Sequence, residues 1–168
     1  MIPAVVLLSA VTAERLAELY WARRNTAALL AQGASEFAPG HYPAIVLLHA
    51  IWLASLWIFG WERPLSPVWL AVFLALQVLR LWTLTTLGPR WTTRIIVQPG
   101  APLATNGPYR FLAHPNYLVV IGEIAALPLC FGLPWLSLVF SIANAGLLSL
   151  RIRAENAALI GSANVSLR

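Results

Sequence analysis

Five long apolar runs constrain this chain more than any other feature of its sequence. They cover, approximately, residues 3–21, 42–61, 67–87, 117–132 and 133–150. A helix needs about 20 apolar residues to cross a bilayer, so we predict an all-α integral membrane protein with about five transmembrane helices. The last two runs are short and meet at Gly132 and Pro134, which favour a tight turn. We therefore expect them to form a helical hairpin whose legs cross the membrane fully or in part.

The composition agrees with a membrane protein. Hydrophobic residues make up 60% of the 168-residue chain and charged residues only 10%, whereas soluble domains carry about 25% charged residues. So few polar side chains cannot cover the surface of a soluble helical domain of this length. Because the sequence contains no internal repeat and no low-complexity linker, we predict a single membrane-embedded domain over residues 1–168.

The distribution of arginine predicts the orientation of the chain in the membrane. The net charge is +5, and arginine supplies all of the positive charge. If five spans alternate, only Arg63 lies on one side of the membrane, and the opposite side carries Arg23, Arg24, Arg90, Arg94, Arg110, Arg151, Arg153 and Arg168. The positive-inside rule then places the N-terminus outside and the C-terminus in the cytoplasm. Because these arginines form no basic stripe, we predict no nucleic-acid partner.

A long connection, residues 88–116, separates the third apolar run from the fourth. It contains a short β-like run at residues 92–97, followed by proline and glycine turn signals. Connections of this length inside a compact chain are usually functional, although a solvated loop is the simpler alternative. We therefore expect this cytoplasmic connection to form part of a site.

The connection ends in the polar motif GPYRFLAHPNY, which leads directly into the fourth apolar run. Arg110 and His114 are four residues apart, so one helical turn would place them on the same face. Pro115 suits the first turn of the next helix, and Tyr117 suits the boundary between membrane and water. A capping role for His114 and an aromatic anchor at Tyr117 are the alternative explanations.

The fourth and fifth runs each carry a polar stripe. Arg151 and Glu155 are spaced to pair on one helix face, and Asn144 lies on that face one heptad earlier. In the fourth run Glu123 follows Asn116 by seven residues. Polar groups at membrane depth tend to face a cavity or a partner, so we expect the two stripes to face each other. The alternative for Arg151 and Glu155 is an ordinary exposed ion pair.

Other ionisable residues lie in the first two runs. Arg15 and Glu18 are three residues apart, with Glu14 adjacent, and we interpret the three as a polar clamp inside the bundle. His41 and His49 roughly share a face of the second run. With only three histidines and no aspartate in the chain, a metal site would lack ligands, so we predict none.

Two motifs together resemble the isoprenylcysteine carboxyl methyltransferase family. NGPYRFLAHPNYL is followed about 35 residues later by RIRAENAAL, and the resemblance covers about residues 87–159. The N-terminal part is similar to a bacterial branch found with type III polyketide synthases, whose members methylate alkylpyrones or alkylresorcinols. The sequence departs from the family pattern at Ala113, where an arginine is usual, and at Asn156, where a second glutamate is usual. These departures bear on recognition of a prenylcysteine carboxylate more than on cofactor binding.

The resemblance implies a methyltransferase of the bacterial cytoplasmic membrane that uses S-adenosyl-L-methionine and methylates an oxygen of a lipophilic acceptor. It places the cofactor pocket between the last two helices and the adjoining cytoplasmic segments. It implies cofactor binding by Gly107, Tyr109, His114, Pro115, Tyr117 and Glu155. The catalytic residues would be Arg151 and Glu155. Candidate substrate contacts are Asn116, Glu123 and Asn144.

Other functions fit parts of the same sequence. The acceptor could instead be a small thiol, or the chain could be an inactive member of the family. From another class, a non-catalytic membrane subunit or small-solute carrier would use the intramembrane carboxylates Glu14, Glu18 and Glu123 as an ion or solute path. The lipid bilayer is a partner in every case, and the sequence does not predict an oligomeric state.

Overall fold

Five long helices form the protein. The structure is a computed structural model that describes the backbone of residues 1–102 and 104–166 and the side chains of residues 1–102 and 104–158. The helices are α1 (Ile2–Ala31), α2 (Tyr42–Gly60), α3 (Pro67–Leu87), α4 (Pro115–Cys130) and α5 (Pro134–Ser166). A two-stranded antiparallel ribbon pairs β1 (Ser35–Glu36) with β2 (Ile96–Val97). The predicted all-α class is confirmed.

Three of the described helices are long and apolar enough to cross a membrane, namely α2, α3 and α5. The apolar helix α4 is shorter, and α1 is long but carries several charged residues. Large apolar side chains are exposed along these helices, as a lipid-facing surface requires; examples are Val6, Leu47, Val78, Ile121 and Ile142. The membrane protein predicted from hydropathy is therefore confirmed.

Proline sets the start of every helix. A proline occupies the first turn in each case, where its missing N–H group would have no intrahelical partner; these residues are Pro3, Pro43, Pro67, Pro115 and Pro134. Gly132 adopts a positive φ of 64° between the last two helices. The Leu133 amide donates to the Pro128 carbonyl at 3.0 Å and closes the turn. The predicted hairpin of α4 and α5 is thus present.

Helix α4 lies at the centre of the bundle, packed against α3 and α5. Its core side chains, among them Val119, Ile124 and Leu127, are almost completely buried. Phe131 and Leu133 in the following turn are equally buried, and they belong to the same apolar cluster as residues of α1, α2 and α3. A 16-residue helix spans about 24 Å, so α4 is short for a membrane helix but protected by its neighbours.

Two helices extend well beyond their apolar runs. The predicted first segment ended at residue 21 and the fifth at residue 150, whereas α1 continues to Ala31 and α5 to Ser166. Packing outside the apolar run supports α1, because Asn25 Nδ2 donates to the backbone carbonyls of Gly88 at 3.1 Å and Trp91 at 2.8 Å. Hydropathy marks the lipid-facing length of a helix rather than its full length.

The extension of α5 supports the β-ribbon. Ile95 and Val97 pack against Ala158 of α5, with Phe37 at the edge of this cluster. The Phe37 amide also donates to the Ile95 carbonyl at 2.9 Å. The sequence predicted a β-like run at residues 92–97, and only its last two residues form the strand β2. The ribbon therefore closes over one end of the helical bundle.

A buried ion cluster connects α1, α3 and α4. Arg80 of α3 is only 7% exposed; it contacts both carboxylate oxygens of Glu18 and donates to Glu123 Oε2 at 2.8 Å. Arg15 donates to Glu18 at 3.0 Å and to Glu123 at 3.2 Å, and it also contacts Glu14. The predicted clamp inside the bundle is present, but it is larger than predicted because Arg80 and Glu123 join it.

We predict that Arg80→Met destabilises the fold by about 3–5 kcal/mol, because it leaves buried carboxylates short of a partner. The melting temperature of the purified protein in detergent should then fall by on the order of 10 °C. Arg94→Ala is the matched control, since its ion pair with Glu36 is 41% exposed on the arginine side and should contribute about 0–1 kcal/mol.

A second variant separates charge from packing. Adding Glu18→Gln and Glu123→Gln to Arg80→Met removes the unpaired charges, so part of the lost melting temperature should return. Equal melting temperatures for Arg80→Met and Arg94→Ala would show that the cluster does not stabilise the fold.

Candidate active site

A cavity of about 730 Å³ lies at the end of the bundle that the β-ribbon covers. One wall is formed by Arg151, Glu155 and Asn156 of α5, and another by the segment that leads into α4. Strand β2 and the earlier part of the same connection line the remaining sides. Pockets that hold small organic ligands are typically about 300–1,000 Å³. The cavity is therefore large enough for a cofactor-sized molecule.

Two predicted cofactor residues shape the cavity without lining it. Gly107 has a positive φ of 56°, and a Cβ atom there would clash with the side chain of Thr86 on α3. Pro115 is fully buried in the first turn of α4. Neither residue lines the cavity. Gly107 instead lets the connection lie directly on α3, and Pro115 fixes the direction in which α4 begins.

Tyr117, Arg151 and Glu155 form a hydrogen-bonded group in the cavity wall. The Tyr117 hydroxyl donates to Glu155 Oε2 and accepts from Arg151 Nε at 3.1 Å. Arg151 also donates through Nη1 to the Thr93 carbonyl at 2.8 Å. The direct pairing of Arg151 with Glu155 expected from their spacing is therefore replaced by a bridge through the phenol of Tyr117. His114 stacks on the Tyr117 ring at 5.1 Å between centroids.

The charges around the cavity are mixed. Arg90 and Arg94 from the connection line it together with Arg151, and Glu155 is the only carboxylate among its described lining residues. Tyr109 also lines the cavity; burial, and to a smaller extent the negative charge of Glu155, raises the pKa of its hydroxyl to about 12. At neutral pH this hydroxyl keeps its proton, so it can donate a hydrogen bond to a ligand.

A second, small cavity of about 50 Å³ adjoins the first between α2, α4 and α5. The two cavities share Asn116, Tyr117 and Arg151. Asn144, a predicted substrate contact, and His49 of α2 line the small cavity. The side-chain oxygen of Asn116 is buried and has no hydrogen-bond partner among the described residues. Two of the three predicted substrate residues are therefore together beside the main cavity.

Glu123 is the exception among the predicted site residues. It lines neither cavity and instead binds Arg15 and Arg80 in the ion cluster. It follows Asn116 by seven residues, so it shares that face of α4 but lies about 10 Å further along the helix axis. The expected substrate contact is replaced by a structural ion pair at this depth.

Several residues of the site were not predicted from the sequence. The connection that contains Thr93 was expected to form part of the site, but the pairing of β2 with β1 and the hydrogen bond from Arg151 to Thr93 are long-range contacts that no local pattern reveals. His49 carried a usable signal, because a histidine inside an apolar run is a candidate functional residue. Ala113 lines the large cavity at the position where the sequence departs from the family pattern.

Comparison with known proteins identifies the family. The model of the isoprenylcysteine carboxyl methyltransferase (ICMT) family matches residues 69–161, a range that contains Tyr117, Arg151 and Glu155. An uncharacterized protein of Bacillus subtilis, YpbQ, is 42% identical over 159 residues, which cover 92% of this chain and 95% of the relative. No solved structure matches the chain significantly. The family match covers more than half of the chain and supports a membrane methyltransferase in general, so the chain belongs to the isoprenylcysteine carboxyl methyltransferase family.

Proposed function

We propose that the protein transfers a methyl group from S-adenosylmethionine to an oxygen of a lipophilic acceptor that partitions into the membrane. The observation that carries this proposal is the bonded group of Tyr117, Arg151 and Glu155. It lines a cofactor-sized cavity and borders a smaller cavity between apolar helices. A soluble methyl donor and a membrane-bound acceptor would meet at this shared wall.

The groups around the large cavity suit S-adenosylmethionine. Glu155 offers a carboxylate to a cationic or hydroxyl-rich ligand, and the exposed Arg90 offers a cation to a carboxylate. Arg94 also lines the cavity, and its charge is paired with Glu36. Ile95 and Val97 provide an apolar surface for an aromatic base. When bound, the cofactor supplies an electrophilic methyl group on a positively charged sulfur.

Methyl transfer of this kind is an in-line displacement, which needs alignment and exclusion of water more than strong acid–base help. Arg151 is held in place by Tyr117 and by the Thr93 carbonyl through two of its five N–H groups. The other N–H groups remain for an acceptor oxygen that carries negative charge. We infer that Arg151 orients and stabilises that oxygen, which belongs to an alkylpyrone or alkylresorcinol hydroxyl or to an isoprenylcysteine carboxylate.

The carrier hypothesis lacks comparable support. It needs intramembrane carboxylates that can bind a transported ion or solute. In the described part of the chain, Glu18 and Glu123 are bound by Arg15 and Arg80, and Glu14 also contacts Arg15. These carboxylates hold the helices together, so the methyltransferase proposal accounts for more of the structure.

We expect Glu155→Ala to weaken binding of S-adenosylmethionine by about 10- to 100-fold, because a hydrogen bond to a charged group contributes about 1.5–3 kcal/mol. Glu155→Gln should fall between this variant and the wild type, since an amide oxygen can still accept from Tyr117. Isothermal titration calorimetry in detergent or nanodiscs measures both values. Arg153→Ala is the control, because Arg153 is exposed on the same helix and does not line the cavity. Equal affinities in the wild type and the three variants would show that Glu155 does not contact the cofactor.

We expect Arg151→Lys to lower kcat by about 100-fold or more while changing cofactor affinity by less than about threefold. A lysine keeps the charge but cannot bond Tyr117 and Thr93 in the same planar arrangement. Transfer of a labelled methyl group to membrane-extracted acceptors measures kcat. The exposed Arg153→Lys is the control, and an unchanged kcat in Arg151→Lys would contradict the proposed role.

We also propose that the active site faces the cytoplasm, from the excess of arginine at its end of the bundle. With Cys130, the only cysteine, changed to serine, a new cysteine in place of the exposed Pro102 should react with a membrane-impermeant maleimide only in opened cells. A cysteine in place of the exposed Glu62, at the other end of the bundle, should react in intact cells. The reverse labelling pattern would show that the active site faces the outside of the cell.

A further inference from the structure

We propose that the small cavity binds a hydroxyl group of the acceptor and that His49 of α2 is the base that removes its proton. The inference rests on the proposed methyl transfer and deepens it. It assigns the acceptor to the class of phenols and enols, which reach the enzyme with a proton on the reacting oxygen, rather than to carboxylates, which do not.

A backbone contact fixes the tautomer of His49. Its Nδ1 atom lies 2.8 Å from the carbonyl oxygen of Ile45, one turn earlier in α2. A carbonyl oxygen accepts hydrogen bonds but cannot donate them, so Nδ1 must carry the proton in this contact. In the neutral ring, Nε2 is then unprotonated and presents a lone pair. The fold therefore leaves Nε2 as the basic nitrogen of the imidazole, because Nδ1 is hydrogen-bonded to the Ile45 carbonyl.

His49 lies in the wall of the small cavity, next to the proposed reaction centre. His49 lines the small cavity together with Tyr117 and Arg151, and both of these also line the large cavity. No other titratable side chain from α2 lines either cavity in the described part of the chain. The volume of about 50 Å³ suits the polar end of an acceptor and not a whole lipid. An acceptor tail would continue between the helices toward the bilayer.

The small cavity offers hydrogen-bond acceptors at Asn116 and His49 beside the N–H groups of Arg151 and Asn144. The buried Asn116 oxygen has no partner among the described residues, and an unsatisfied buried acceptor favours a ligand that can donate to it. A ligand hydroxyl can donate to it, whereas an ionised carboxylate has no proton to donate. Asn116 and His49 therefore present two acceptors, which matches an acceptor molecule that carries hydroxyl groups.

Charged groups on three other elements act on His49. Arg15 of α1 and Arg80 of α3 are paired with carboxylates in the ion cluster, and Arg151 of α5 lines the small cavity together with Tyr117 of α4. Arg151 would stabilise the negative charge that develops on the oxygen as the proton leaves.

The proposed reaction moves one proton and one methyl group. The acceptor O–H bond breaks, and its proton moves to Nε2 of His49. An oxygen electron pair forms the bond to the methyl carbon as the carbon–sulfur bond breaks. The electron pair of that bond stays on sulfur, which changes from a cationic sulfonium to a neutral thioether. The imidazolium of His49 then gives its proton to solvent.

His49→Asn tests the inference. The asparagine amide can still donate to the Ile45 carbonyl, but it offers no basic nitrogen. We expect calorimetry to show unchanged binding of S-adenosylmethionine, and kcat with an alkylresorcinol to fall by about 10²–10⁴-fold, the usual contribution of general base catalysis. In the wild type, kcat/KM should rise with pH as His49 loses its proton and then level off. This acidic limb should be absent in His49→Asn.

A second acceptor that needs no base distinguishes a catalytic role of His49 from a structural one. An alkylresorcinol with a ring nitro group is already ionised at neutral pH and needs no base, so His49→Asn should methylate it at a rate within about tenfold of the wild type. His41→Asn is the control, because His41 lines neither cavity. An equal loss with both acceptors, or an unchanged pH profile, would overturn the role of His49.

The methyltransferase activity and the role of His49 can be tested separately. Wild-type protein that binds no S-adenosylmethionine would overturn the proposed function itself. A wild-type enzyme that binds it and methylates a farnesylcysteine carboxylate in preference to the alkylresorcinol, with full activity in His49→Asn, would leave the methyltransferase intact. That result would overturn only the assignment of the small cavity and of His49.

Discussion

Arg80 of α3 forms ion pairs that connect three helices. The apolar surfaces of these helices do not by themselves determine which helix packs against which. In lipid, apolar side chains gain little from leaving one apolar surface for another, so packing and polar contacts must determine which helices associate. Arg80 contacts Glu18 of α1 and Glu123 of α4 from within α3. A buried guanidinium with two carboxylate partners has few alternative arrangements, and the cluster therefore specifies how α1, α3 and α4 lie against one another.

This constraint determines the position of the candidate active site. Glu123 and Tyr117 are six residues apart on α4, which places them about 120° apart around the helix axis. When Glu123 faces α1 and α3, Tyr117 faces α5 and meets Arg151 and Glu155. The ion cluster is thus a structural requirement for the bonded group at the cavity, although no residue of the cluster lines it. Glu123 of α4 therefore has a structural role in the ion cluster, whereas Glu155 of α5 lines the cavity.

Local sequence features predicted much of the fold but less of the site. The bounds of α3 and the turn at Gly132 followed directly from hydropathy and from proline and glycine. The shared face of Asn116 and Glu123 also followed from helical periodicity, yet periodicity carries no information about depth, so only one of the two reached the cavity. The bridge through Tyr117 and the β-ribbon depend on contacts between segments far apart in sequence, which a single sequence does not encode locally. Glu18 and Glu123 were recognised as intramembrane carboxylates, but Arg80, the arginine that joins them, was not predicted.

The two adjoining cavities explain why such chemistry would be placed at the end of a membrane bundle. The large cavity is lined mainly by the connection before α4 and offers charged groups to a soluble ligand, whereas the small cavity lies between α2, α4 and α5 and is lined in part by apolar side chains. The residues common to both, Asn116, Tyr117 and Arg151, form the boundary across which a methyl group would pass. At Ala113 the large cavity lacks the arginine that is usual in the family pattern, but it keeps cations from Arg90 and Arg94 on another wall. The connection before α4 and helix α5 therefore supply the positive charge of the large cavity. The departure at Ala113 does not change Asn116, Tyr117 or Arg151, the residues that the two cavities share.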